Sequence, residues 1–147
     1  DLGIYPVSFA FDLFGPPTVV KAMAAKTVTG VDRQTAILFG FEDGRQAVLH
    51  SALDTRGPNT AVILGTEGRI VWYSPTTFTV FDAKGEVIER FDTEVAHRGM
   101  QFQAWEFERR IREGDHSPAI LPARESVRIM ETLDAVRAQI GLSYPGE

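Results

Sequence analysis

The chain reads as an α+β domain: a mainly antiparallel, open β-sheet with helices packed on one face. Three observations predict this. Apolar residues recur at helical spacing at both ends of the sequence. The middle holds apolar runs in consecutive pairs, each pair closed by a short turn containing glycine. Consecutive hairpins build antiparallel rather than parallel sheets.

The first helix is expected over residues 2–14, with Leu2, Tyr5, Phe9 and Leu13 on one stripe and Ala10 and Phe14 beside it. Pro6 suits the first turn, where a missing N–H leaves no bond unmade. Gly15-Pro16-Pro17 ends the helix. A strand is expected over 18–27, then a hairpin joining 35–41 to 46–53 through Glu42-Asp43-Gly44-Arg45. A second pair, 61–64 and 69–73, turns at Gly65-Thr66-Glu67-Gly68. A third, 78–81 and 86–91, turns at Lys84-Gly85. A second helix carries Met100, Ala104, Phe107 and Ile111 as a stripe, widened by Phe102 and Trp105, and stops at Gly114. The last helix shows Val127, Met130, Leu133, Val136 and Ile140, and stops at Gly141. Helix, strands, helices in that order is the α+β pattern.

The length of 147 residues fits a single domain with its own core. A net charge of −5 disfavours nucleic acid and anionic membrane as partners. No apolar run is long enough to span a bilayer. The lack of cysteine rules out disulfides and thiolate metal sites and permits a reducing compartment, so a cytoplasmic location is expected. The sequence begins Asp1-Leu2-Gly3-Ile4-Tyr5, apolar at once and without Met, which reads as a cut inside a larger protein.

Motifs of chemistry are sparse. Neither G-x-G-x-x-G nor a Walker loop is present. Gly65-Thr66-Glu67-Gly68 sits between strands, and Glu67 would repel a phosphate, so it reads as a plain hairpin turn. His50, His97 and His116 lack the spacing of a helical metal pair. His50 falls in a strand and His116 in a turn, whereas His97 precedes a helix, in the kind of connection where ligand-facing residues gather. Glu106 and Glu108 point to different sides of their helix. None of the serines stands in a nucleophile motif. Tyr5, on an apolar stripe, reads from spacing alone as a core residue.

Several segments together resemble the C-terminal domain of the Gfo/Idh/MocA oxidoreductases. Asp1-Leu2-Gly3-Ile4-Tyr5 is similar to the family's D-L/I-G-x-Y/H signature. Residues 58–70 resemble its strand–turn–strand segment, and Trp72-Tyr73-Ser74-Pro75-Thr76 its aromatic-x-x-Pro-Thr stretch. Gly99-Met100-Gln101-Phe102-Gln103, the helix ending Ile111-Arg112-Glu113-Gly114, and residues 130–141 resemble its last two helices. The Tyr variant and the ending Gln139-Ile140-Gly141-Leu142-Ser143-Tyr144-Pro145 are similar to the branch with the dimeric trans-dihydrodiol and D-xylose dehydrogenases.

The resemblance implies a missing N-terminal Rossmann domain that binds NAD or NADP, and a substrate held between that domain and this one. The substrate would be a sugar, polyol or vicinal diol. Tyr5 would pass the proton, partnered by a lysine of the missing half. Asp1 would bind or orient substrate, with Trp72 and His97 as further pocket residues. The chain alone is expected to bind no cofactor. The stretch from Ile70 to Pro75 is shorter than the family's usual one. The resemblance also implies homo-oligomers through the sheet face. Ile37, Phe39 and Phe41 fall on one face and Leu38 on the other, and helices can cover only one. The competing reading is a non-catalytic oligomerisation or ligand-binding module.

Overall fold

The structure is a computed structural model and describes residues 1–115, 120–144 and 146. The turn expected at His116-Ser117-Pro118, and Pro145, lie outside the described residues. Helix α1 spans Ile4–Phe14. Strands β1 (Val19–Lys26), β2 (Asp32–Gly40) and β3 (Gln46–Ala52) follow, then β4 (Ala61–Gly65), β5 (Gly68–Ser74), β6 (Thr77–Asp82) and β7 (Val87–Asp92). A short 3-10 helix (Ala96–Gly99) leads into α2 (Met100–Glu113), and α3 covers Ala123–Ile140. The α+β class therefore holds. The described strands form two antiparallel sheets, β1-β2-β3 and β4-β5-β6-β7. The segment between β3 and β4 contains Gly57 and Pro58, and proline cannot donate to a ladder.

The chain groups into two compact units. The first joins residues 1–56 to α3. Its core is Val7, Ala10 and Phe11 of α1, Ile37 and Phe39 of β2, Phe41, and Ile129 and Val136 of α3. Phe39 is wholly buried, on the central strand of its sheet. Phe41 meets Phe14 edge to face at 5.3 Å, and the Arg45 guanidinium covers the Phe14 ring at 4.8 Å. α1 and α3 thus occupy one face of this sheet, as expected. The other face shows Met23, Leu38 and Val48 to solvent, and Leu38 and Val48 are cross-strand partners.

The helix phases differ from the sequence reading. Val7, Ala10, Phe11 and Phe14 face the core, whereas Tyr5 and Leu13 are exposed. α1 is apolar nearly all round, so two stripes satisfied the spacing. Val7, Ala10 and Phe11 join the cluster that holds Phe39 and Phe41, and Phe14 packs edge to face on Phe41. In α3 the buried line is Ile129, Leu133 and Val136, while Val127 and Met130 lie in solvent.

The second unit runs from Gly57 through α2. In its sheet Phe78 and Phe91 are register partners, stacked at 5.0 Å. Arg69 lies over its cross-strand partner Phe81 at 4.1 Å. Gly68 closes the β4–β5 hairpin where only glycine fits, since a Cβ there would lie 2.1 Å from the Phe81 carbonyl oxygen. α2 ends at Gly114 in the left-handed conformation, as expected of a C-terminal stop. Its apolar stripe is not buried: Met100, Phe102, Trp105, Phe107 and Ile111 are all exposed. Among the described residues no helix is long and apolar enough to cross a membrane.

Candidate active site

The polar end of the first unit is built by backbone arithmetic. β1 and β2 are joined by a turn at residues 27–31, and β3 runs antiparallel to β2, so the start of β2 and the end of β3 lie side by side. α1 begins at this same end: the Gly3 Cα lies against Ser51, with Ser51 Oγ 3.7 Å from where a Cβ would sit. The segment after α3 returns there as well. The result is a cavity of about 220 Å³ lined by Asp1, Leu2 and Gly3, by Val31, Asp32 and Arg33, by Ser51, Ala52 and Leu53, and by Leu142 and Tyr144.

The polar groups at this cavity are held in place. Arg33 Nε is 3.3 Å from Asp54 Oδ2, and Gln34 donates to Asp54 Oδ1 at 3.1 Å. Buried Thr35 donates through its hydroxyl to Asp32 Oδ2 at 3.0 Å. Gly141 adopts the left-handed conformation that turns the chain out of α3, and Leu142 N–H donates to the Arg137 carbonyl. Lys26 Nζ donates to the Gly141 carbonyl at 2.5 Å. The Arg137 guanidinium, paired with Asp134, lies 4.2 Å from the Tyr144 ring centroid.

Asp1 lines this cavity, and Tyr5 does not. Tyr5 lies on the first turn of α1, two residues before buried Val7 and so about 200° away around the helix. Its side chain is 70% exposed. It is therefore not the core residue that spacing alone suggested, and its phenol stands free to meet a partner. Pro6 sits within this first turn without leaving an N–H unmatched, and Val7 N–H reaches the Gly3 carbonyl.

Trp72 and His97 lie in the second unit. Trp72 is half-buried on β5, with Ala61 and Phe78 as its register partners, so it continues the Phe78–Phe91 aromatic row across the sheet. His97 is exposed in the 3-10 helix, with φ 51° in the left-handed region. His50 is also exposed, on β3. Sequence reading missed Arg33, Ser51 and Tyr144 as cavity residues. Arg33 and Ser51 carry no motif, and Tyr144 was noted only as part of an ending. Arg33 and Ser51 are brought together by the sheet register and Tyr144 by the turn at Gly141, neither of which the sequence spells out.

Residues 1–71 match the family model described as the GFO/IDH/MocA C-terminal domain. The chain is 28% identical over 155 residues to trans-1,2-dihydrobenzene-1,2-diol dehydrogenase of Mus musculus, covering 99% of this chain and 46% of that protein. It is 30% identical over 173 residues to D-xylose 1-dehydrogenase (NADP(+)) of Hypocrea jecorina, covering 99% and 44%. Two solved structures share the fold. UDP-N-acetylglucosamine 3-dehydrogenase from Acidithiobacillus ferrooxidans matches with a TM-score of 0.81 at 17% identity, over 95% of this chain and 46% of that one. A 3-ketoreductase from Actinomadura kijaniata, in complex with TDP-benzene and NADP, matches with a TM-score of 0.72 at 19% identity, over 95% and 46%. These matches bear out the family resemblance drawn from the sequence. The chain spans about half the length of the curated relatives it matches.

Proposed function

We propose, on the premise that this chain is the C-terminal domain of a Gfo/Idh/MocA oxidoreductase, that the intact protein oxidises or reduces a sugar, polyol or vicinal diol with NAD or NADP. The observation that carries this reading is the exposed Tyr5 phenol on the first turn of α1, one turn after Asp1. A helix that buries Val7, Ala10 and Phe11 while its tyrosine points outward leaves that hydroxyl for work outside the core.

The turn at Gly65-Thr66-Glu67-Gly68 does not suit a dinucleotide. Gly65 and Gly68 close a hairpin and open no helix, and Glu67 stands between them. The reading assigns the cofactor to the nucleotide-binding half that the family resemblance implies. When bound there, NAD(P) accepts or returns the hydride.

This chain supplies the proton's path. As a carbinol becomes a carbonyl, its C–H bond breaks with the electron pair and its O–H proton must leave. Tyr5 Oη takes that proton in oxidation and gives it back in reduction. The lysine that the family resemblance implies in the nucleotide half is the partner of Tyr5 in this transfer. Asp1 accepts hydrogen bonds from substrate hydroxyls at the adjacent cavity and so orients the carbinol. The exposed face of β1-β2-β3, with Leu38 and Val48 at its centre, is the self-association surface. The cysteine-free composition suits a cytoplasmic enzyme.

The test is an assay of the full-length protein with NAD and NADP against a panel of neutral sugars, polyols and cyclic diols, read by nicotinamide absorbance. Turnover of one class with one dinucleotide is expected. No turnover across the panel, together with no binding of either dinucleotide, would overturn the reading.

A further inference from the structure

The hairpin between β2 and β3 holds a reactive pair of residues. Gly44 sits there with φ 85°, in the left-handed region, and its N–H donates to the Phe41 carbonyl at 3.0 Å. A turn of this shape calls for glycine at that position. The residue before it is Asp43, and this is the one Asp-Gly dipeptide in the sequence. An aspartate followed by glycine can react with its own backbone, because no Cβ shields the next amide nitrogen. The Gly44 nitrogen attacks Asp43 Cγ. The N–Cγ bond forms, a Cγ–O bond breaks, and the carboxyl OH leaves with the amide proton as water. A second water then opens the cyclic imide at one of its two carbonyls. One opening restores aspartate. The other gives isoaspartate, in which the chain runs through Cγ and the α-carboxylate is free. No oxidant or reductant takes part.

The folded hairpin restrains this step through one residue. Arg45 Nε donates to Asp43 Oδ2 at 2.6 Å, and the Arg45 backbone N–H donates to Asp43 Oδ1 at 3.2 Å. The hydrogen bond from the Arg45 side chain holds the Asp43 carboxyl below the ordinary carboxylate range. A carboxylate cannot lose its oxygen as water until it is protonated, so this pairing slows the attack. The guanidinium is itself anchored, 4.8 Å from the Phe14 ring centroid and 5.9 Å from that of Phe41. Asp43, Gly44 and Arg45 are all exposed, and among the described residues nothing lies within 4 Å of where a Gly44 Cβ would sit. Packing therefore gives the turn no other shield. We propose that Asp43-Gly44 is a site of spontaneous conversion to isoaspartate, and that Arg45 guards it in the folded protein. The conversion adds one atom to the backbone between two paired strands, where Gly40 faces Gln46 and Phe39 faces Ala47. Phe39 and Phe41 belong to the core of the first unit, so a displaced hairpin disturbs that packing.

The experiment ages the full-length protein at neutral pH for several weeks, folded and in urea, beside Arg45→Met and Arg45→Lys. Isoaspartate is read by enzymatic methylation of its free α-carboxylate and placed by peptide mass spectrometry. In urea the wild-type chain should accumulate isoaspartate at position 43 at least about five-fold faster than the folded protein. Arg45→Met keeps the apolar stem and loses the donor, and should speed the folded protein at least about three-fold. Arg45→Lys keeps the charge without the planar fork and should fall between the two. If Arg45→Met does not fold, Arg45→Lys decides in its place, and its rate must exceed that of the wild type. No isoaspartate at position 43 in the unfolded chain would overturn the site. Equal rates for the folded wild type and a folded Arg45 variant would overturn the guard.

Discussion

Gln139 of α3 pairs with the backbone of Ala22 on β1 as though it were another strand residue. The Ala22 N–H donates to Gln139 Oε1 at 2.9 Å, and Gln139 Nε2 donates to the Val20 carbonyl at 3.0 Å. β1 is an edge strand, so these are ladder groups with no neighbouring strand to satisfy them. One side-chain amide, which both donates and accepts, blunts the edge and ties α3 to the sheet.

Gln139→Ala should therefore destabilise the protein by ~1–2 kcal/mol, the usual range for losing hydrogen bonds of this kind. Gln139→Glu should be no better, because its second oxygen would face the Val20 carbonyl without a proton to donate. Denaturant melts of the three proteins check this, and equal midpoints would show that the amide pair contributes nothing. The opened edge should also raise aggregation during refolding.

The acid response of α2 follows from one cluster. Arg109 and then Arg110 hold Glu106 ionised by hydrogen bonds, lowering its pKa from 4.5 to about 2. The carboxylate's folded pKa is depressed, so its contribution is fully present above about pH 4.5 and is lost as pH falls toward 2. Helical circular dichroism should decline across that window. Glu106→Gln should show a weaker decline there and less helix at neutral pH. A Glu106→Gln curve that overlays the wild type would show that the cluster is ornamental, as many exposed ion pairs are.

Leu38 and Val48 face each other across β2 and β3 on the uncovered side of their sheet, and Val48 is 81% exposed. Placing a charge there, as in Val48→Glu, should shift the full-length protein to smaller species in sedimentation at micromolar concentration while leaving its melting temperature nearly unchanged. A wild-type protein that sediments only as a monomer would contradict the self-association surface directly.

Much of this architecture was legible in the sequence, for reasons that can be located. The hairpin at Gly65-Thr66-Glu67-Gly68 was readable because two β-rich runs flank a turn that demands glycine. The stops at Gly114 and Gly141 were readable because a left-handed C-terminal residue is nearly always glycine or asparagine. Helix phase was less legible. α1 is so apolar that its spacing allowed Tyr5-Phe9-Leu13 as readily as Val7-Ala10-Phe11-Phe14, and the choice between them is made by the shape of the sheet beneath. The stripe on α2 was read correctly as apolar, yet burial depends on what lies against it, which periodicity does not encode. The cavity was the least legible feature. Asp1, Arg33, Ser51 and Tyr144 come from four separate stretches of chain, and only strand register and the turn at Gly141 bring them together.

On the function proposed above, Tyr5 passes the proton in the intact protein. Its exposure separates it from the core, so Tyr5→Phe, which removes only the hydroxyl, tests chemistry with little effect on packing. The decisive measurement is kcat of the full-length Tyr5→Phe protein with its best sugar or diol, alongside its melting temperature and dinucleotide affinity. A fall in kcat of ~10²-fold or more, with folding and cofactor binding kept, is the predicted result. A folded Tyr5→Phe enzyme that turns over at a near-normal rate would contradict it.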